Sequence, residues 1–377
     1  MRILVAMSGG VDSSVAAALL VEAGHEVVGA TLKLWGGPSD SGCCSVADVE
    51  DARRVAQQLG ITHHVFDLTE RFSSAVVAPY VAAHAEGRTP NPCIECNRHV
   101  KFDRLLERSR RLGFDKLATG HHARVVGVPP VPPVPPGPGA PRALPAPGAT
   151  GGFRLLRGVD PAKDQSYVLS MLDQGQLAGV LFPVGEMTKA EVRAHAARLS
   201  LRTATKPDSQ DVCFVSRTVG RRGFLADRLE LHRADVVEGT TGETVGTVDG
   251  VELVTVGQRR GMGHGKDGRR HFAVSVDVGR RRVTVAGAEA AAVRRVPLAP
   301  GTITWVGAPL PPGGRALAQV GAHGRPMPCT FGTEPSDPTV VFDQAQRPVA
   351  PGQTVALYDL AEPDAVLGAG IADRTGC

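Results

Sequence analysis

Apolar residues gather in short runs along the first third of the chain, and each run stops at a turn signal. Ile3 to Met7 is unbroken and apolar and ends at Ser8-Gly9-Gly10. A run of that length closed by glycine predicts a buried strand. From Val11 the apolar positions recur with helical spacing as far as Ala23, and Glu26–Leu32 predicts a second strand. Val46–Leu59 again has helical spacing, His63–Phe66 reads as a third strand, and Lys116–Thr119 reads as another that closes at Gly120-His121-His122. Strands alternating with helices predict an α/β fold on a doubly wound, mostly parallel sheet, with ligands at the carboxyl ends of its strands.

The pattern then breaks. Between Gly127 and Gly152 prolines recur too densely for regular structure, because each removes an amide donor and fixes φ; a disordered insertion is expected. Phe153–Leu156 resumes as a strand, and Met187-Thr188-Lys189-Ala190-Glu191 opens an amphipathic helix that runs to Leu199. After about residue 230 short β-rich segments alternate with glycines, and from about Ala291 strands such as Thr302–Val306, Thr339–Phe342 and Thr354–Tyr358 suggest a small barrel. Three units are expected: residues 1–228 with the insertion 127–152, a small β-rich central domain at 229–290, and a C-terminal β-barrel at 291–377.

Composition changes this picture in two places. The formal net charge is only +4, yet residues 189–295 hold 20 Lys and Arg against 13 Asp and Glu. Arg217, Arg221, Arg222, Arg259, Arg260 and the run Arg280-Arg281-Arg282 lie there, a distribution suited either to a phosphate backbone or to a solvated charged face. No apolar stretch approaches the length of a bilayer span, and Met1-Arg2-Ile3 leads straight into the first strand. A cytoplasmic protein without membrane contact and without a disulfide framework is therefore expected, which leaves its seven cysteines as candidates for chemistry.

Ser8-Gly9-Gly10-Val11-Asp12-Ser13-Ser14 joins the first strand to the first helix. Glycines let the backbone close on an anion, hydroxyls add donors, and the helix turns its unpaired N-terminal amides toward the same point. The segment lacks the Gly-Lys-Ser/Thr ending of a Walker loop and the Gly-x-Gly-x-x-Gly of a dinucleotide fold. It resembles the pyrophosphate loop of enzymes that split ATP between its α and β phosphates, in which Asp12 would help to hold Mg²⁺. Thiols stand at Cys93-Ile94-Glu95-Cys96, after the stiff stretch Thr89-Pro90-Asn91-Pro92, and at Cys213 in Asp208-Ser209-Gln210-Asp211-Val212-Cys213-Phe214. A thiolate is favoured near a helix N-terminus, although a buried apolar cysteine is the commoner reading of Cys213. Cys43, Cys44, Cys329 and Cys377 are read as non-catalytic.

Together with Lys101-Phe102, Ala118-Thr119-Gly120-His121, Lys163-Asp164-Gln165-Ser166-Tyr167 and Gly257-Gln258-Arg259-Arg260-Gly261, these segments resemble the tRNA-specific 2-thiouridylases in order and over nearly the whole chain. The resemblance implies ATP bound by Ala6, Met7, Ser8, Gly9, Gly10, Val11, Asp12 and Ser13, with Leu32 beside adenine and Gly120 as a further contact. It implies Cys96 as nucleophile, Cys213 as the persulfide carrier, Asn91, Pro92 and Cys93 against the target base, and Lys163, Asp164 and Gln165 against tRNA. The implied reaction adenylates the C2 oxygen of the wobble uridine, position 34 by tRNA convention, and replaces it with sulfur delivered by a persulfide-bearing donor protein, the enzyme acting as a monomer. Two positions depart from the family pattern. Cys93 stands where many members carry Asp, which puts that Asp's role in doubt and creates Cys93-x-x-Cys96; with Cys213 this gives three thiols that could hold a [4Fe-4S] cluster or serve as redox thiols. Gly321-Ala322-His323 stands where an Arg-Tyr pair often contacts tRNA. The rival readings are another adenylating synthetase that adds an amine, and a redox-sensing nucleotide- and RNA-binding protein without turnover.

Overall fold

The computed structural model describes residues 1–35, 45–129, 152–208, 212–215, 218–265, 268–332 and 338–373. The chain starts with β1 (Arg2–Ala6), α1 (Val11–Glu22), β2 (Glu26–Lys33), α2 (Val46–Gln58), β3 (Thr62–Asp67) and β4 (Lys116–Thr119). A hairpin of β5 (Ala123–Val128) and β6 (Gly152–Arg157) then leaves this sheet, and β7 (Val180–Leu181) returns to it. The sheet is parallel throughout, in the order β3-β2-β1-β4-β7, with Ile3 opposite Val27 on one side and Lys116 on the other. The expected α/β sheet is thus present.

Both faces of β1 are buried, which is why its sequence is continuously apolar rather than alternating. Ile3 and Val5 join Val15 and Ala16 of α1 and Val55 and Ala56 of α2 in one core, while Leu4 faces a second core with Ala30, Phe66, Ile94 and Cys96. Each such aliphatic side chain contributes roughly 1.5–3 kcal/mol by leaving water.

The second and third units are β-rich. A four-stranded sheet of Ala234–Glu238, Thr244–Val248, Phe272–Asp277 and Arg282–Ala286 closes over Val236, Val251, Met262, Ala273, Val283 and Val285. It abuts the first unit where His84 Nδ1–H donates to the Glu252 carbonyl at 3.0 Å. The C-terminal strands form a nine-stranded sheet, and two of the nine are β5 and β6. Leu155 and Leu156 of β6 pair with Val366 and Ala365, so a hairpin encoded in the first unit completes the last one. Within the hairpin Val128 pairs with Gly152, which makes the two ends of the proline-rich tract strand residues; the tract's interior lies outside the described residues.

Candidate functional site

The loop after β1 lies at the point where the sheet order reverses, since β1 has β2 on one side and β4 on the other. Ligands of open α/β sheets settle in the crevice at such a point. Gly10 is the N-cap of α1 and no side chain caps it, which leaves the helix's first amides for an anion. Ser13 Oγ and Ser14 Oγ donate to the Gly10 carbonyl at 3.1 and 2.8 Å, and the Ser8 amide donates to Ser13 Oγ at 3.2 Å. Ser13 and Ser14 therefore shape the loop from its buried side, while Ser8 is exposed. Two glycines make the geometry possible. Gly9 has φ +72°, and a Cβ there would lie 2.2 Å from the Asp48 carbonyl oxygen. At Gly120, directly after β4, a Cβ would come within 2.5 Å of the Ser13 amide nitrogen. The cradle fits a phosphate group.

Asp12 faces this loop from the first turn of α1, and both its oxygens accept from Lys189 Nζ at 2.7 Å. His122 Nε2–H adds a third bond to Oδ1 at 3.1 Å. Burial pushes the Asp12 carboxyl up, but the bonds from His122 and Lys189 more than offset it and leave it below the usual range. The expected Mg²⁺ ligand thus already holds an ammonium, and as placed Asp12 does not offer a vacant cation position. Lys189 also meets Asp208 Oδ1 at 2.8 Å. Asp208 takes Lys163 Nζ at 2.8 Å and Arg193 at 2.9 Å as well. Burial raises its carboxyl, and the bonds and charges of Lys163 and Lys189 bring it down to about 2. Nearby, Lys206 Nζ donates to the Gly9 carbonyl at 3.0 Å, to Asp48 at 2.6 Å and to Asp51 at 2.7 Å, which fastens the chain before Cys213 onto the phosphate loop.

Asn91 caps the helix Pro92–Cys96, its Oδ1 accepting the Cys93 amide at 3.1 Å, with Pro92 in the first turn where a missing N–H costs nothing. Cys93 is exposed and Cys96 is buried at 6 % exposure. Cys96 belongs to the large apolar cluster of the first unit, and partly buried Cys213 packs against that same cluster. The next residue, Phe214, anchors the Cys213 segment between the rings of Phe72, Tyr80, Phe224 and Trp35, at centroid distances of 5.0–6.3 Å. The C-terminal sheet steadies the preceding loop, because Gln353 Nε2 donates to the Thr89 carbonyl at 2.7 Å and the Thr89 amide donates to Pro351 O at 2.7 Å.

The remaining expected positions fall as follows. Leu32 is buried in β2, Met7 and Val11 are buried beside the loop, and Ala6 is partly buried at the end of β1. Asp164 is turned inward, its side chain 7 % exposed: it accepts from Arg157 at 2.5 Å, from the Gly158 and Ser166 amides and from Ser166 Oγ. Gln165 Oε1 accepts the His122 amide at 2.9 Å, which ties the 163–165 segment to the loop after β4. Among the described residues no group of three His, Cys, Asp or Glu side chains is placed to hold a metal ion. Cys329 is buried among the C-terminal strands, and burial pushes its thiol up to about 12, which keeps it protonated. Cys43, Cys44 and Cys377 lie outside the described residues.

Lys189, His122 and Lys206 were not among the expected site residues. One signal did exist for Lys189: a cation in a helix's first turn opposes the helix dipole and needs a carboxylate to hold it there. The capping box of Thr188 and Glu191 made the position look like an ordinary helix start.

Comparison with known proteins covers the same three units. A family model described as the tRNA methyl transferase HUP domain matches residues 1–217. The tRNA methyl transferase PRC-barrel domain matches 222–287, and the aminomethyltransferase beta-barrel domain matches 298–372. The tRNA-specific 2-thiouridylase MnmA of Roseiflexus castenholzii is 45 % identical over 98 % of both chains. Relatives of the same name in Kineococcus radiotolerans and Frankia casuarinae are 46 % identical over 95 % of each chain and 42 % identical over the whole of each. Identity at that level from end to end agrees with the order of motifs around the phosphate loop and the cysteines, and the chain belongs to the tRNA-specific 2-thiouridylase family.

Proposed function

We propose that the protein is a tRNA-uridine 2-sulfurtransferase. The observation that carries the reading is the joining of an uncapped, glycine-lined helix N-terminus with two cysteines on one apolar cluster, in a chain of this family. ATP phosphates would sit against Ser8–Ser13, with Leu32 and Gly120 bordering the nucleotide. Attack of the uridine C2 oxygen on the α-phosphorus breaks the α–β bond and releases pyrophosphate, leaving an adenylate whose oxygen departs readily with AMP. The terminal sulfur of a Cys213 persulfide then attacks C2 and AMP leaves. Cys96 thiolate attacks Cys213 sulfur, so the new C2–sulfur group is freed as the thiocarbonyl and a Cys96–Cys213 disulfide remains for a cellular thiol to reduce. The dry surroundings of Cys96 protect the adenylate from water. Lys163 and the 91–93 strip would contact the RNA, and the uridine must leave its stack to reach the cysteines. Mg²⁺ would balance phosphate charge when bound, and no step here is routed through a cluster. The partners would be tRNA and a sulfur-donor protein in the cytoplasm; among the described residues no helix is long and apolar enough to cross a membrane.

Incubation with unmodified tRNA, ATP, Mg²⁺, a persulfide-bearing sulfur donor and a thiol reductant, followed by mass spectrometry of the nucleosides, tests this. 2-Thiouridine at the wobble position is expected. A methylated uridine, as the description of the family model would suggest, or ATP cleavage without any sulfur-containing nucleoside, overturns it.

A further inference from the structure

Asp208 stands between two lysines that serve different ends of the site, and the arrangement rests on the function proposed above. Its Oδ2 accepts from Lys163 at 2.8 Å, and its Oδ1 accepts from Lys189 and Arg193 at 2.8 and 2.9 Å. Lys189 donates onward to both oxygens of Asp12 at 2.7 Å. The circuit closes on its other side. Gln165, two residues from Lys163, accepts the His122 amide at 2.9 Å, and His122 Nε2–H reaches Asp12 at 3.1 Å. Phosphate loop and RNA-facing segment therefore belong to one ring of polar contacts, separate from the apolar cluster that holds the cysteines.

Lys189 has three N–H donors and three carboxylate oxygens within 2.8 Å, and its side chain is 11 % exposed. A phosphate anion arriving at the loop must compete for an ammonium already fully engaged. The contact given up most readily is the one to Asp208, which keeps Lys163 and Arg193. Asp12, by contrast, would keep only His122 beside the incoming negative charge. Once Lys189 turns to phosphate, Asp208 holds Lys163 more tightly and withholds it from an RNA backbone. The reverse also follows: an RNA phosphate that draws Lys163 away returns Asp208 to Lys189 and loosens the ammonium's hold on pyrophosphate. We propose that tRNA engaged at Lys163 and pyrophosphate held at Ser8–Ser13 oppose each other through Asp208 and Lys189, so that bound tRNA hastens the departure of pyrophosphate and makes adenylation hard to reverse.

The test is the affinity of the full chain for inorganic pyrophosphate, measured by calorimetry with and without unmodified tRNA. Binding several-fold weaker with tRNA is expected, at the low end of the roughly 5- to 150-fold range of coupled sites. By reciprocity pyrophosphate weakens tRNA binding by the same factor, and it makes the dependence of log affinity on log salt shallower by about one counterion. In Asp208→Asn, which keeps the side chain's shape, the effect disappears. It disappears as well in Lys163→Met, at a side chain 35 % exposed. Equal pyrophosphate affinity with and without tRNA overturns the proposal. So does coupling that persists undiminished in both variants, the result that plain repulsion between two polyanions would give. Thiolation by the wild-type protein without coupling removes this inference alone, whereas a wild-type protein that neither binds nor thiolates tRNA removes the functional reading and the inference with it.

Discussion

Around Asp12 the chain is held together by ammonium and carboxylate groups, whereas around Cys96 and Phe214 it is held by aromatic and aliphatic packing. Both regions border the sheet built on β1, and the proposed reaction needs both. In that reaction the first would handle anions that must arrive, react and leave. Exchangeable charges suit that task, because one cation can pass between a carboxylate and a phosphate without disturbing the backbone. The second would hold sulfur beside an activated base that water would hydrolyse, and an apolar wall would exclude water while fixing geometry. Lys206 joins the two, with one end on the Gly9 carbonyl and its backbone seven residues before Cys213.

If packing holds the sulfur side and charge holds the phosphate side, the two should break differently. The largest stability effect is expected from Phe214→Ala. Phe214 is 3 % exposed among four aromatic rings, and its loss should cost about 3–5 kcal/mol in urea or thermal denaturation, with Cys213 becoming more reactive to alkylation. A smaller effect, on the order of 2 kcal/mol, is expected from acid acting on the charged side. The Asp208 carboxyl lies at about 2 in the folded protein, below its unfolded value. Its contribution is therefore complete above about pH 4 and lost as pH falls toward 2. Asp12 is shifted in the same direction. Melting temperature followed from pH 5 to about pH 2 should fall less steeply in Asp208→Asn than in the wild type, and parallel curves would remove Asp208 from the account.

The parallel sheet was legible because its inner strands are short, largely buried and punctuated by glycine, so that local pattern and tertiary role coincide. The phosphate loop was legible for a similar reason: Gly9, Gly10 and the serines act within a few residues of one another. Long-range relations left no such trace. Nothing in Ala123–Val128 or Gly152–Arg157 says that these strands complete a sheet made from residues beyond 290, because pairing partners so distant in sequence impose no local periodicity. Two-residue β7 is too short to register as a strand at all. The resemblance marked Lys163 and Asp164 together, yet the structure separates them, turning Asp164 inward to Arg157 and leaving Lys163 on the ring with Asp208. The different surroundings of Cys93 and Cys96 left no trace in their spacing either: on one capped helix Cys93 is exposed and Cys96 lies in the core.

The division between a charged activating half and a dry sulfur half is tested most directly by measuring pyrophosphate release and 2-thiouridine formation together, in a single turnover, for the wild type, Cys213→Ser and Gly9→Ala. Gly9→Ala would force a Cβ into the Asp48 carbonyl and require a strained φ. Cys213→Ser is expected still to release pyrophosphate in a tRNA-dependent way while forming no thiouridine, and Gly9→Ala to form neither product. Loss of pyrophosphate release in a folded Cys213→Ser protein, or normal thiolation by Gly9→Ala, would contradict that division.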